Sequence, residues 1–229
     1  MSGPLKVVAI DGPAGSGKST VARQVADRLG LDYLDTGAMY RAVAYEAIRR
    51  GIDPEDEPTV AELARQMELS VAERVVVNGT DATVEIRSPE VTRAVSTVAA
   101  NPEVRTEMVL RQREWAETRG GGVVEGRDIG SVVFPDALLK VYLTASEGER
   151  ASRRSREMLE REFDQVAAEM AQVAHEIARR DRIDSTRAAS PLTVAADAVE
   201  VDTTGIDAHE VVERVMALVA ERMGEGDRS

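Results

Sequence analysis

The run Gly12-Pro13-Ala14-Gly15-Ser16-Gly17-Lys18-Ser19 satisfies the spacing G-x-x-x-x-G-K-[ST] at every position. The chemistry such residues serve is phosphate binding. Glycines let consecutive backbone N–H groups turn inward toward phosphate oxygens. A helix starting at the end of the run adds partial positive charge. Lys18 is spaced to reach the β- and γ-phosphates, and the Ser19 hydroxyl to ligate Mg²⁺. A chain of this composition would carry the pattern by chance about 0.002 times, so it is read as a nucleotide-phosphate site. The pattern alone leaves kinases, GTPases and motor ATPases open. The lysines are Lys6, Lys18 and Lys140, and none follows an asparagine. That removes the Asn-Lys-x-Asp base reader of guanine-specific GTPases. No strand closes on the Asp-Glu pair usual in motor ATPases.

A second group, Asp35-Thr36-Gly37-Ala38-Met39-Tyr40-Arg41, follows the second expected strand. Ligand contacts in α/β sheets gather beyond the carboxyl ends of strands. Thr36 is expected to cap the next helix and offer a hydroxyl. Arg41 suits a two-pronged contact with phosphate, and Tyr40 can stack on a base or ribose. An ordinary helix start with a surface arginine is the alternative. The third group is Gly126-Arg127-Asp128-Ile129-Gly130, also at a strand end. Arg127 and Asp128 there form a structural ion pair or serve a ligand. Glu125 sits where P-loop proteins often carry an acidic residue that orients the waters of the metal.

Between Arg150 and Arg187 lie nine arginines and eight acidic residues. One reading is a solvated helical surface with pairs such as Arg153–Glu157 and Arg156–Glu160. The other is a lid whose arginines close over a transferring phosphate. His175 and His209 read as surface residues, and Trp115 as packing.

The elements that must position these groups alternate. Strands are expected at Leu5–Ile10, Tyr33-Leu34, Val123-Val124, Leu138–Leu143 and Val199–Val201. Helices are expected from the phosphate loop to Gly30, over Gly37–Arg50, over Glu90–Trp115 with a break at Asn101-Pro102, over Glu147–Arg182, and after a cap at Asp207. Val75–Val77, Asn78-Gly79 and Thr83–Ile86 read as a hairpin inserted among the helices. Alternation of strand and helix points to an open, largely parallel α/β sheet. The chain has 229 residues, 43% hydrophobic and 31% charged, which is enough for a core without staples. It has no cysteine, so disulfides, thiolate catalysis and cysteine-ligated metals are excluded, and a reducing, cytoplasmic setting is expected. A formal net charge of −12 argues against binding nucleic-acid polymers but leaves room for a local anion site. Neither a signal peptide nor a spanning segment is expected.

The runs Gly12–Thr20, Leu34–Arg41, Asn78–Asp81, Ile86-Arg87, Val95–Ala100, Val104-Arg105, Gly126–Asp136 and Arg179–Leu192 together resemble those of the bacterial cytidylate kinases. The resemblance covers residues 5–220. It implies an α/β P-loop kinase core with a parallel five-stranded sheet, made from residues 1–36, 116–148 and 188–229. It further implies a CMP-binding domain over 37–115, carrying a small antiparallel β insertion near 71–87, and an arginine-rich helical lid over 149–187. The implied reaction is Mg²⁺-dependent transfer of the γ-phosphoryl group of ATP to CMP or dCMP, by a cytoplasmic monomer without nucleic-acid or membrane partners. Gly12 through Ser19, with Thr20, would hold ATP. Arg41, Arg127 and Arg187 would bind the acceptor phosphate, Ser96, Arg105 and Asp128 would read the cytosine edge, and Arg180 and Asp184 would contact the ribose. Thr36 and Tyr40 would line the pocket. Lys18, Arg127, Arg187 and the lid residue Arg154 would carry catalysis, with Arg150 and Arg180 joining on closure. Glu125 departs from the aspartate usual in the family. Rival readings are a kinase for AMP, UMP or shikimate, and a non-catalytic nucleotide-binding regulator.

Overall fold

Lys6–Asp11 forms β1, a strand whose alternate residues enter two different cores. Val7 and Ala9 join one hydrophobic cluster, Val8 and Ile10 the other. A strand covered on both faces needs an unbroken apolar run, which is what the sequence supplies. The structure, a computed structural model, describes residues 6–159, 178–179, 181–187 and 190–226.

The chain continues through α1 (Lys18–Leu29), β2 (Tyr33–Asp35), α2 (Thr36–Arg49), α3 (Glu57–Gln66), β3 (Leu69–Val71), β4 (Val75–Val77) and β5 (Thr80–Asp81). Then come α4 (Pro89–Ala100), α5 (Pro102–Arg119), β6 (Gly121–Gly126), β7 (Leu139–Thr144), α6 (Glu147–Leu159), β8 (Val199–Asp202) and the final helix, α7 (Ala208–Gly226). The main sheet has the order β2-β6-β1-β7-β8, with every neighbouring pair parallel. One cluster packs Val21 and Val25 of α1 and Val211, Val215 and Val219 of α7 against the sheet. The other packs α2, α4 and α5 against the opposite face. The expected five-stranded parallel α/β sheet is present. Its register aligns Asp11 with Gly126, and Glu125 with Asp35, so the chemistry-bearing strand ends share one edge.

The expected break between α4 and α5 occurs at Asn101, whose side chain accepts the N–H groups of Glu103 and Val104 while Pro102 starts the new helix. Asp207 caps α7 through the Glu210 N–H at 2.8 Å.

The β insertion differs from its expected form. Val77 and Thr80 pair across Asn78-Gly79, whose φ values of 48° and 77° suit a two-residue hairpin turn. The following strand ends at Asp81, however, and the third strand lies upstream at Leu69–Val71. Thr83–Ile86 is not a strand. Asp81 Oδ1 accepts both the Thr83 N–H and its hydroxyl, which turns the chain into a 3₁₀ turn at Glu85–Arg87. The small sheet therefore spans 69–81 rather than 71–87. Buried Glu46 on α2 fastens it, accepting from Asn78 Nδ2 at 2.8 Å as well as from Arg49 and Arg50. Among the described residues, no helix is long and apolar enough to cross a membrane.

Candidate active site

The phosphate loop leaves β1 at Asp11 and enters α1 at Lys18. A Cβ on Gly12 would lie 2.2 Å from the Leu143 carbonyl oxygen, so only glycine fits where the loop passes β7. Buried Lys18 donates from Nζ to the Pro13 carbonyl at 2.7 Å, across the loop it follows. The Ser16 hydroxyl is buried and has no hydrogen-bond partner among the described residues. Ala14 N–H donates to Asp181 Oδ1 at 3.0 Å. Arg150 pairs with the same carboxylate and donates to the Ala14 carbonyl at 3.2 Å. A loop amide thus already faces an anionic oxygen, the contact that a phosphate needs. Behind the loop, Arg153 reaches the Ser16 carbonyl at 3.3 Å and Thr203 Oγ1 at 2.8 Å, and its partner in i, i+4 spacing is Glu149. Thr20 is exposed on α1.

Beside the loop, Ser19 Oγ donates to Glu125 Oε2 at 3.0 Å, and the Tyr33 hydroxyl donates to Glu125 Oε1. Burial, with Asp35 nearby, raises the pKa of Glu125, while Lys18 and the two donors oppose the rise. Ser19 and Glu125 offer oxygen donors only. That donor set suits Mg²⁺, which takes one or two protein oxygens and keeps its waters. Thr36 is not the cap of α2: Asp35 Oδ1 accepts the Ala38 N–H at 3.0 Å, while Thr36 Oγ1 donates to the Glu125 carbonyl at 2.7 Å.

Asp11 ties the phosphate loop to the third group. Its carboxylate accepts the N–H groups of Ile129 and Gly130 at 2.9 and 2.8 Å. Burial raises its pKa to about 6, although those two amides favour the charged form. The turn so anchored presents Arg127 and Asp128 to different partners. Arg127 Nε donates to Asp184 Oδ2 at 3.0 Å. Asp128 is paired with Arg105 through one oxygen and with Arg187, at 3.4 Å, through the other. Arg187 Nη1 lies 3.7 Å from Asp184, which closes the network. Arg105 also lies over the Tyr40 ring, 5.5 Å from its centroid. Burial pushes the Tyr40 hydroxyl up to about 12. Burial works against the Arg127 charge, but Asp184 and Asp181 outweigh it and its pKa rises. For Arg187, burial and then Arg105 prevail, and its pKa falls.

The structure therefore joins Tyr40, Arg105, Arg127, Asp128, Asp184 and Arg187 in one buried network. Arg41 donates to the Ile86 carbonyl at 3.3 Å and Thr92 Oγ1 at 2.9 Å, and Ser96 is buried on α4. Arg180, His175 and the Arg154 side chain lie outside the described residues, as do the pairs expected for Glu157 and Glu160. Sequence reasoning missed Asp11, Tyr33 and Thr203. The only local signal was the position of Asp11 directly before Gly12.

Residues 8–221 match the cytidylate kinase family. The chain belongs to that family. A cytidylate kinase of Geobacillus kaustophilus is 51% identical over 223 residues, covering 95% of this chain and 97% of the relative. One from Desulfitobacterium hafniense is 49% identical, covering 96% and 94%. A bifunctional pantoate ligase/cytidylate kinase of Synechocystis sp. is 52% identical over 221 residues. That match covers 93% of this chain but only 42% of the longer relative. In this member of the cytidylate kinase family, Asp11, at the end of β1, joins the glycine-rich loop to the turn that carries Arg127 and Asp128.

Proposed function

We infer that this chain transfers the γ-phosphoryl group of ATP to CMP or dCMP, giving ADP and CDP or dCDP. The observation that carries the reading is the network around Asp128, anchored through Asp11 to the strand that begins the phosphate loop. In phosphoryl transfer, positioning and charge neutralisation do most of the work. Loop amides and Lys18 hold the β- and γ-phosphates of the donor. Arg41, Arg127 and Arg187 hold the acceptor phosphate, whose oxygen is ionised near neutral pH and needs no general base. Ser19, with Glu125 behind it, would hold Mg²⁺, which when bound supplies positive charge to the β- and γ-phosphates.

Asp128 reads cytosine. Its carboxylate accepts the N4 donor of CMP, with Arg105 and Arg187 fixing its orientation and Ser96 alongside. Uracil presents an acceptor at that position, so UMP would set two acceptors against each other. Asp184 and Arg180 contact the ribose, and Tyr40 and Thr36 line the pocket. Arg150, Arg154 and Arg180 complete the charge neutralisation from a lid over 149–187. Residues 37–115 form the acceptor-binding unit. The remainder, residues 1–36, 116–148 and 188–229, makes the core, and the chain works as a cytoplasmic monomer.

The test is a coupled ADP-release assay with CMP, dCMP, UMP, AMP and shikimate as acceptors. CMP and dCMP should dominate. AMP or shikimate leading would assign a different kinase, and saturable ATP binding without ADP formation on any acceptor would make the chain a regulator.

A further inference from the structure

Glu125 is a buried carboxylate whose two oxygens are both used, and only one of its donors belongs to the phosphate loop. Four groups face it. Ser19 donates to Oε2 at 3.0 Å, and the Tyr33 hydroxyl donates to Oε1. Lys18 favours its charge, and Asp35, paired with it across the β2–β6 register, opposes it. Asp35 is itself committed elsewhere, capping α2 and lying 3.7 Å from Arg87. A buried carboxylate next to another carboxylate turns toward whatever donors it has. If the Tyr33 hydroxyl were removed, Oε1 would lose its side-chain donor, and the three torsions of a glutamate could swing the group away from Ser19.

Tyr33 is well placed to prevent that. It lies on β2, hydrogen-bonded to β6 in register with Val123, two residues before Glu125. The Arg23 guanidinium covers its ring at 5.2 Å from the centroid, and Arg23 is one turn beyond Ser19 on α1. Ring, hydroxyl, carboxylate and serine thus form a closed circuit between β2, β6 and α1. An aspartate at 125 would end one methylene short of the phenol.

We propose that Tyr33 is a positioning residue for the metal-bound nucleotide: it holds the long Glu125 side chain against Ser19, and Tyr33 and Glu125 act as a matched pair. The inference rests on the reading of Ser19 as the magnesium ligand.

Calorimetric titration of the chain with ADP, once in Mg²⁺ and once in EDTA, separates the two. Tyr33→Phe keeps the ring under Arg23 and deletes the hydroxyl. The gain in ADP affinity that Mg²⁺ confers on the parent chain should shrink by about tenfold in this variant, the effect of one hydrogen bond to a charged group. Affinity in EDTA should stay within about twofold, since neutral packing is kept. Glu125→Asp should show the same shrinkage, and adding Tyr33→Phe to it should change little more, because the shortened carboxylate no longer reaches the phenol. Equal weakening in Mg²⁺ and EDTA would mark a merely structural tyrosine and overturn the proposal. A full gain in Tyr33→Phe, or losses that multiply in the double variant, would overturn it too. Should Tyr33→Phe fail to fold, the Glu125→Asp arm decides alone, and an undiminished gain there refutes the pairing. A parent chain with no Mg²⁺-dependent gain refutes the Ser19 assignment instead, whatever the variants do.

Discussion

Arg127 Nε donates to Asp184 Oδ2 at 3.0 Å, spanning 57 residues of sequence. The pair stitches the end of β6 to the segment 181–187, which also supplies Asp181 to the phosphate loop and Arg187 to Asp128. Asp184 is buried and Arg127 half-buried, and Arg187 also lies 3.7 Å from Asp184. Breaking one member of such a network strands another charge in a low-dielectric setting, so conservative substitutions are the informative ones.

Asp128→Asn keeps the shape but can turn an N–H donor toward the base. The ratio of kcat/KM for CMP over UMP should fall by at least about tenfold, since donor and acceptor roles are exchanged. Steady-state kinetics with both acceptors measures it. An unchanged ratio removes Asp128 from base reading.

Lys18→Ala removes the buried ammonium that follows the phosphate loop. Turnover should drop by roughly a hundredfold or more, equivalent to about 3 kcal/mol of transition-state stabilisation, while the melting temperature changes little. Near-parental turnover would refute its place on the donor phosphates.

Two carboxylates give the stability profile opposite slopes in acid. Asp11 has its pKa raised to about 6 by burial, against 3.8 as the ordinary value. Its stabilising contribution is complete below pH 3.8 and is lost as pH rises through about 6. Glu46 has its pKa lowered to about 2 from 4.5, chiefly by the Arg49 hydrogen bonds. Its contribution is present above pH 4.5 and disappears as pH falls toward 2. Urea midpoints from pH 7 to 3 should therefore lose their Asp11 slope in Asp11→Asn and their low-pH fall in Glu46→Gln. Profiles parallel to the parent's in both variants would contradict these shifts.

Gly79 sits at φ 77°, and a Cβ placed on it would meet nothing within 4 Å. Gly79→Ala should thus cost stability through backbone strain alone, about 1 kcal/mol, read as a lower thermal midpoint. The CMP kinetics should not move. An unaltered midpoint would mean that the hairpin turn relaxes freely.

The phosphate loop, the α4–α5 break and the Asn78-Gly79 turn were determined by the sequence itself. Each depends on residues within one or two turns, where spacing alone dictates geometry. The same local reasoning failed at Thr83–Ile86, because its β-branched pattern is identical whether or not Asp81 captures the Thr83 hydroxyl. It also made Thr36 the helix cap, a role that Asp35 takes while Thr36 reaches β6. Arg127 and Asp128, adjacent in the chain, could have paired with each other, and only the tertiary packing of α5 and the 181–187 segment sends one to Asp184 and the other to Arg105 and Arg187. Asp11 anchors amides 118 and 119 residues away, and Tyr33 meets Glu125 across β2 and β6. Such partners are chosen by which strands become neighbours, a decision made by burying both faces of the sheet, and no spacing along the chain encodes it.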